Sequence, residues 1–409
     1  MRIKASVAIR TTLLISLMVS VTVLSTRLQA DTMGSCGGVS TTVPFNDVSA
    51  GSVFFCSIAE AYFSGLTNGT GPNAFSPASN VPREQMAAFV TRTLDQSLMR
   101  GSKHAALDQF WTNQGGNSLG LTTLPASSMP QLSQSDGADV WVADSGGNRV
   151  IRVRASDGKV LDSWTGANSA VAVLCAMGKV FATGETAGGS LYQLDPSLPA
   201  GAVTTLTSSL GVSPEGIAFD GQRIWVSNLS GSVKIITLNP FSMTTAAAAF
   251  VSVTGIVYDG ANMWVTDSDQ VMQVFKLRKL DPTDGHILTS VDVGKAPRHA
   301  AFDGTNIWVP NFLDQPMNPS SVTVVRASTA TVIATLTGNG LLGPAAVAFD
   351  GERILVANQS ANSVSLWRAS DLTPIGTFST GAGTTPIGVC SDGLNFWISL
   401  IATGKLARF

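Results

Sequence analysis

The sequence predicts a mostly β protein: a seven-bladed β-propeller preceded by a small α-helical domain. An apolar strand, an Asp-Gly pair and a second apolar strand with a large residue recur along residues 119–409, most clearly as IAFDGQRIWV at 217–226. The intervals run from 39 residues (Trp225 to Trp264) to 47 (Trp308 to Leu355), and the large residues are Trp141, Phe181, Trp225, Trp264, Trp308, Leu355 and Trp397. A period near 40 with several short strands per unit is typical of propeller blades.

Each unit divides into four strands, and the Asp-Gly pair predicts a two-residue hairpin between the first two. We predict that the large residues pack as core between blades and do not form a ligand platform. The seventh unit ends at Phe409, after its third strand. Residues 120–125 are therefore expected to supply its fourth strand and close the ring, because an unpaired edge would otherwise be exposed. Six or eight blades are the alternative counts.

Composition limits the classes of partner. Charged residues make up 13% of the 409, and the formal net charge is -2. The low charge content argues against disorder. The first 30 residues contain four basic residues and no acidic one, so the rest of the chain has 21 basic and 27 acidic residues. Nucleic acid is excluded as a partner on this basis, since phosphate binding needs a basic field.

Residues 1–30 are predicted to be a secretory signal peptide. A basic start is followed by an apolar run from Leu13 to Leu24 and by Leu28-Gln29-Ala30. Cleavage is expected after Ala30, which makes the mature protein secreted, on the cell surface or periplasmic. The alternative is an uncleaved anchor, for which the apolar run is short.

Residues 31–105 are predicted to form a helix–loop–helix domain. Asp47 is expected to cap the first helix, and a second helix is expected from Pro82. Cys36 and Cys56 are expected to form a disulfide bond, which would contribute on the order of 3 kcal/mol in an oxidising compartment. The alternative is a pair of buried thiols.

Four stretches of this region resemble the S-layer homology (SLH) module: FNDV at 45–48, the apolar helix around 58–62, GLTNG at 65–69 and VPREQMAAFVTR at 81–92. The resemblance implies anchoring of an exported protein to cell-wall or envelope polysaccharide. The family's Thr-Arg-Ala-Glu-type signature falls on residues 82–85, where Arg83 is kept and is the expected polymer-binding residue. A small capping or dimerising domain is the alternative.

Residues 106–118 are predicted to be a linker, and residues 119–409 the propeller. Phrases such as PEG at 214–216 and WVSN at 225–228, with the Asp-Gly turns, resemble the NHL and YVTN types of repeat propeller. That resemblance implies a ligand face made by the loops before the first strand and after the second strand of each blade.

The predicted ligand face has two sets of residues. The loops before the first strands contribute Gln131, Val171, Glu215, Thr254, Arg298, Ala345 and Ile387. From this set we predict ligand binding by Gln131, Glu215 and Arg298, where the two charges form either a ligand clamp or a plain ion pair. The loops after the second strands contribute Asp144, Gly184, Asn228, Asp267, Asn311, Asn358 and Leu400. From this set we predict Asn228, Asp267, Asn311 and Asn358; the alternative is that they bond their own turns.

The sequence names no catalytic residue. His299 is adjacent to Arg298, but without a second histidine nearby it is expected to be a core residue. No cofactor is predicted. A divalent metal in the channel, held by Glu215, Asp267, Asn228 or Asn311, belongs to the alternative of a lactonase- or lyase-like propeller enzyme. Cys175 and Cys390 are expected to be buried thiols.

The sequence therefore favours an exported binding or scaffold protein at the cell surface or envelope. Envelope polysaccharide is the expected partner of the first domain, and a protein or a small molecule is the expected partner of the propeller face. The alternatives are the propeller enzyme and a structural role in a surface layer.

Overall fold

A computed structural model describes residues 31–36, 39–63, 67–71, 73–81, 86, 120–271, 273–312 and 320–409. These residues belong to two compact units, one before residue 99 and one containing the chain from residue 120 onward. The predicted signal peptide, the linker and Arg83 lie outside the described residues. Within the described ranges, no helix is both long and apolar enough to span a bilayer.

The first unit combines a β-hairpin with a short helix. Strands β1 (Thr32–Cys36) and β2 (Val39–Val43) pair antiparallel, and helix α1 covers Phe55–Phe63. Its core contains Val43, Phe45 and Phe55, each at most 1% exposed. Cys36 and Cys56 form a disulfide bond, with 5.5 Å between their Cα atoms, that ties the hairpin to α1. The hairpin was not predicted from the sequence.

Asp47 does not cap α1, so this prediction is wrong. The helix begins eight residues later, at Phe55. The Asp47 carboxylate instead accepts backbone N–H groups of Phe75 at 2.9 Å and Ser76 at 2.7 Å. The hydrogen bond from Phe75 is the largest cause that holds the pKa of Asp47 below its usual value. Asp47 therefore fixes a later loop of the unit.

The second unit is a ring of seven four-stranded antiparallel sheets, which confirms the predicted seven-bladed propeller. Blades 1 to 3 contain β4–β7 (Pro130–Ser135, Asp139–Asp144, Arg149–Arg154, Val160–Thr165), β8–β11 (Ala170–Ala176, Lys179–Gly184, Ser190–Leu194, Thr204–Thr207) and β12–β15 (Pro214–Phe219, Ile224–Asn228, Ser232–Leu238, Phe241–Thr245). Blades 4 to 6 contain β16–β19 (Val253–Tyr258, Met263–Asp269, Val274–Leu280, Ile287–Asp292), β20–β23 (Ala301–Phe302, Asn306–Asn311, Ser321–Arg326, Thr331–Leu336) and β24–β27 (Pro344–Phe349, Arg353–Asn358, Ser363–Arg368, Pro374–Ser379).

Blade 7 closes the ring with both ends of the unit. It contains β28 (Pro386–Ser391), β29 (Phe396–Leu400), a 3-10 turn at Ile401–Thr403 and β30 (Lys405–Arg408). Its fourth strand is β3 (Gly120–Thr123), which pairs antiparallel with β30. This is the closure expected from the sequence, and it leaves no exposed edge on β30.

The first strands of neighbouring blades contact one another around the centre. We call the end at which they begin the mouth face, and the opposite end, at which they turn into the second strands, the turn face. In blade 3 this turn differs from the prediction. Asp220 N–H donates to the Arg223 carbonyl, so Gly221 and Gln222 are the two central residues, with Gly221 at a φ of 95°. Glycine at the first central position is typical of a type II′ turn, and Asp220 precedes the turn.

The aspartate at this position joins the turn to the core tryptophan. In blade 4, one carboxylate oxygen of Asp259 accepts N–H groups of Ala261 and Asn262 at 2.8 and 2.6 Å, and the other accepts the indole N–H of Trp264 at 2.7 Å. Five blades share the aspartate–indole bond, formed by the pairs Asp136–Trp141, Asp220–Trp225, Asp259–Trp264, Asp303–Trp308 and Asp392–Trp397. All five tryptophans are fully buried, as predicted for core residues.

Candidate functional site

The mouth face presents a ring of unlike residues. In six blades the ladder between the first two strands shifts register at this end. In blade 3 the shift lies between Pro214 and Gly216 and leaves Glu215 as the extra residue of a bulge. Five residues of the predicted ring line one cavity: Gln131, Val171, Glu215, Arg298 and Ile387. Thr254 lines a second cavity beside it, and Ala345 is fully buried.

The first cavity has a volume of about 350 Å³ and is called the mouth cavity below. Its apolar lining comes from Met129, Leu132, Val171 and Ile387, and its polar lining from Gln131, Ser145, Ser169, Glu185, Glu215, Arg298 and His299. A pocket of this size, with apolar side chains and a few convergent polar groups, is typical of a small-molecule site.

Blade 5 departs from the regular architecture. Its first strand contains only Ala301–Phe302, whereas the other first strands have six or seven residues. Pro310 lies in its second strand, where blade 3 has Ser227, and proline has no amide hydrogen to donate. The Pro310 carbonyl accepts the N–H of Arg298 at 2.9 Å, so its nitrogen faces the inner strand too. The ladder of blade 5 is therefore interrupted at Pro310 and resumes at the mouth as a single bridge between Pro297 and Asn311.

His299 pairs with the neighbouring blade instead. Its N–H donates to the Ala345 carbonyl at 3.3 Å, and its carbonyl accepts the N–H of Val347 at 3.2 Å. Blades 3, 4 and 7 have glycine at this level. A Cβ on Gly255, for example, would lie 2.5 Å from the carbonyl oxygen of Arg298. The imidazole of His299 thus occupies the mouth where these three blades present no side chain.

Glu215 and His299 meet in the mouth cavity. The Nε2 atom of His299 lies 3.9 Å from Oε2 of Glu215, and the side chains are 15% and 20% exposed. Burial raises the pKa of Glu215 to about 7; the charge of Glu185 adds to the rise and that of Arg298 opposes it. Burial also lowers the pKa of His299 to about 3, with a further contribution from Arg298. At neutral pH the imidazole is uncharged, so the two side chains do not form a salt bridge.

Arg298 is held by stacking. Its guanidinium lies 4.0 Å from the ring centroid of Phe312. Burial lowers its pKa, and Glu215 opposes that change. Within the part of the chain that the structure describes, its guanidinium has no hydrogen bond and no ion pair. The predicted Glu215–Arg298 pair is thus two separate charges in one cavity.

The other four predicted ligand residues are inside their blades. Asn228, Asp267, Asn311 and Asn358 are at most 3% exposed, and none lines the mouth cavity. The amide of Asn311 donates to the hydroxyls of Ser321 and Thr323, both at 3.0 Å. Asp267 accepts the N–H of Val251 at 2.9 Å and pairs with Arg278 at 3.1 Å. The Oδ1 atoms of Asn228, Asn311 and Asn358 are buried and accept no hydrogen bond among the described residues. We leave all four residues out of the candidate site, because they are buried and none lines the mouth cavity.

His299 was expected to be a core residue, but it lines the mouth cavity. Three further polar residues of the mouth cavity were missed in the sequence. Ser145 and Glu185 directly follow the ends of second strands, and Ser169 directly precedes a first strand. Glu185 carries a usable signal: of the seven residues at its level, it is the only charged one. The predicted ring contains one residue per loop, and these three residues are neighbours of that position in the same loops.

Among the described residues, the free cysteines and the one group of potential metal ligands lie outside the mouth cavity. Cys175 and Cys390 are free thiols as expected, but only Cys390 is buried and Cys175 is half-buried. Burial raises the pKa of each thiol to about 12. Among the described residues, one group of three potential ligands converges within 4.8 Å: Asp281, Asp284 and His286, at the turn between β18 and β19. Nδ1 of His286 is hydrogen-bonded to Asp284 at 2.7 Å. The mouth cavity contains no such group of three among the residues described.

No protein-family model matches the sequence, and no curated protein matches it. Among solved structures, the hydrazine synthase of Kuenenia stuttgartiensis is similar at 16% identity and a TM-score of 0.58, covering 73% of this chain and 98% of that one. The WD40 β-propeller domain of Doa1 is similar at 13% identity and a TM-score of 0.56, covering 71% and 97%. Likeness at these identities shows the fold alone. The SLH and NHL/YVTN resemblances stay predictions. The structure and these comparisons show a seven-bladed β-propeller.

Proposed function

We propose that this chain is an exported, envelope-associated binding protein whose propeller holds a small ligand in the mouth cavity. One observation carries the proposal: Glu215, Arg298 and His299 come together in a cavity of about 350 Å³. Glu215 and Arg298 stand on a ring whose other members are uncharged. Because the repeated residues of the blades serve packing, unlike residues that converge at one end are best explained by a ligand.

Other features support export and anchoring. The first 30 residues have the order of a signal peptide, with a basic start, an apolar run and a small residue before Asp31. The Cys36–Cys56 disulfide suits an oxidising compartment outside the cytoplasm. In this proposal the SLH-like unit binds envelope polysaccharide through Arg83, and the mouth cavity binds the second partner.

Ligand binding is tested with the mature chain, residues 31–409. Thermal shift and ligand-observed NMR are run against a panel of anionic, neutral and cationic small molecules, beside the double variant Glu215→Gln/Arg298→Gln. Arg368→Gln is the matched control, because it removes a charge from an exposed ion pair with Asp371. The proposal expects hits that the double variant loses and the control keeps. Hits that survive in the double variant would place binding elsewhere.

Anchoring is tested by co-sedimentation with purified cell envelope. The wild-type chain, Arg83→Gln and Arg298→Gln are compared at equal concentration. The proposal expects Arg83→Gln alone to reduce sedimentation. Equal sedimentation of all three proteins would contradict the role of Arg83.

A second candidate function is proton-transfer catalysis of the lactonase or lyase type. It is favoured by the raised pKa of Glu215, since a carboxyl that titrates near 7 suits a general acid or base. The predicted set of metal ligands does not come together around the mouth cavity, because Glu215 lines it and Asp267, Asn228 and Asn311 do not. Turnover of a panel of lactones and uronates that is lost in Glu215→Gln would favour this candidate over binding alone.

A further inference from the structure

We infer that the ligand of the mouth cavity is a small organic acid, with its carboxylate on Arg298 and its apolar part against Leu132, Val171 and Ile387. The inference rests on the proposed function, because it names the ligand class of the same site.

Arg298 supplies the main argument. A guanidinium has five N–H donors and no acceptor, and an enclosed charge without a partner is costly. Across the described residues, this guanidinium has neither a hydrogen bond nor an ion pair. Stacking on Phe312, at 4.0 Å, fixes the plane of the group and leaves its N–H edges available. A carboxylate matches those edges with two parallel hydrogen bonds, which an amide or an ammonium group does not.

The acids of the cavity do not replace such a ligand. Glu215 lies in the same cavity, but no ion pair within 4.0 Å joins it to Arg298 among the described side chains. Its pKa of about 7 keeps much of it protonated at neutral pH, and a protonated carboxyl can donate a hydrogen bond to an acid that an ionised carboxylate would repel. Glu185 is exposed to solvent, where its charge is screened.

The apolar part of the ligand follows from the other side of the ring. Leu132, Val171 and Ile387 come from blades 1, 2 and 7, whereas Glu215 and Arg298 come from blades 3 and 5. The apolar side chains therefore lie on the side of the cavity away from Glu215 and Arg298, where blades 1 and 2 also contribute the polar residues Gln131, Ser145, Ser169 and Glu185. A short-chain acid can place its carboxylate on Arg298 and its chain against Leu132, Val171 and Ile387, where the chain is removed from water.

The test uses three probes of equal length: hexanoate, hexanamide and hexylammonium. Each is titrated into the mature full-length chain by ligand-observed NMR at about pH 6, where Glu215 is largely protonated. The variants are Arg298→Gln, Arg298→Lys and the control Arg368→Gln. Thermal unfolding of each variant is recorded, and Arg298→Gln is expected to fold, because it removes a charge that has no partner in the described chain.

We expect hexanoate to bind at least about tenfold more tightly than hexanamide or hexylammonium, in line with the cost of losing a charge-assisted hydrogen bond. Arg298→Gln should lose about tenfold or more in affinity for hexanoate, Arg298→Lys should lie between, and Arg368→Gln should match the wild type. If hexanamide or hexylammonium binds as tightly as hexanoate, or if Arg298→Gln changes nothing, the acid is the wrong class while the binding function stands. If none of the three probes binds, this inference fails; if the broader panel is also silent, the proposed function fails with it.

Discussion

The turn face and the mouth face of the propeller are built from the two ends of the same strands, yet they differ in how far they repeat. At the turn face, five blades make the same aspartate–indole bond at 2.7 to 2.8 Å. At the mouth face, the seven residues of the predicted ring are all of different types, and only two of them carry a charge. Uniform contacts around a ring serve every blade equally, so they indicate stability. Contacts that occur once indicate a site.

The ends of the second strands show that a structural residue is distinguished from a ligand-binding residue by its recurrence in several blades and not by its position at the mouth. They lie at the mouth face, and five of the seven carry Asp or Asn. Asn228, Asp267, Asn311 and Asn358 are nonetheless buried and bond within their blades. A residue class that recurs in most blades bonds within the blades, even beside a ligand cavity: the Asn amides donate to the third strand, and the Asp carboxylates accept from loops and pair with arginines.

The largest expected effect is at the turn face. Trp264→Ala removes a fully buried indole, which should lower the free energy of unfolding by about 3 to 5 kcal/mol. Arg298→Gln at the mouth is the matched comparison and should not lower it, because this variant removes an enclosed charge that has no partner among the described residues. Urea unfolding of both variants measures the contrast. A loss below about 1 kcal/mol for Trp264→Ala would mean that the repeated tryptophans are not the main support of the ring.

The second prediction isolates the hydrogen bond from the packing. Asp259→Asn keeps an acceptor for the turn but replaces the oxygen that accepts the Trp264 indole, and it should cost about 1 to 3 kcal/mol. Trp264→Phe removes the indole donor from the other side. If the bond matters, the double variant should cost clearly less than the sum of the two single variants in urea unfolding. Simple additivity would show that the bond contributes little.

The same contrast explains how much could be predicted from the sequence. The blade count and the core tryptophans were predictable, because the phrase containing Asp259 and Trp264 returns at a nearly constant spacing. Glu215 and Arg298 were predictable because they are the two charged residues among the seven that precede or begin the first strands. The burial of Asn228 was not, because a turn-forming side chain and a rim side chain look alike in sequence. The path of residues 298–299 was not either, because it depends on hydrogen bonds to the next blade.

The third prediction concerns pH at the mouth. Glu215 titrates near 7 in the folded chain, against an ordinary value of 4.5. The folded state therefore holds a proton that the unfolded state releases, and this contribution to stability is full below pH 4.5 and lost as the pH rises through 7. Glu215→Gln has no such loss. Its free energy of unfolding relative to wild type should thus rise by about 1 to 3 kcal/mol from pH 4.5 to above 7.

Urea unfolding of both chains at the two ends of this range gives the difference. The opposite effect of His299, whose pKa is lowered to about 3, is present in both chains and cancels. A difference that does not change with pH would mean that Glu215 titrates near its ordinary value. Arg298 would then share the mouth cavity with an ionised carboxylate, which would weaken the case for an acid ligand.

The smallest expected effect on stability comes from the residue that breaks the repeat. Pro310→Ser introduces an amide hydrogen like that of Ser227 in blade 3. This N–H would face the inner strand, where the carbonyl of His299 accepts a hydrogen bond from Val347 of blade 6. Stability should change by less than about 1 kcal/mol, because one ladder hydrogen bond is exchanged for another. The new amide at position 310 should exchange slowly with deuterium, as should the amide of Ser227, which is the internal control in the same molecule. The contrary outcome is fast exchange of the new amide beside slow exchange of the Ser227 amide. It would show that the bonds of His299 to blade 6, and not the missing amide hydrogen of Pro310, keep the inner strand of blade 5 apart from its second strand.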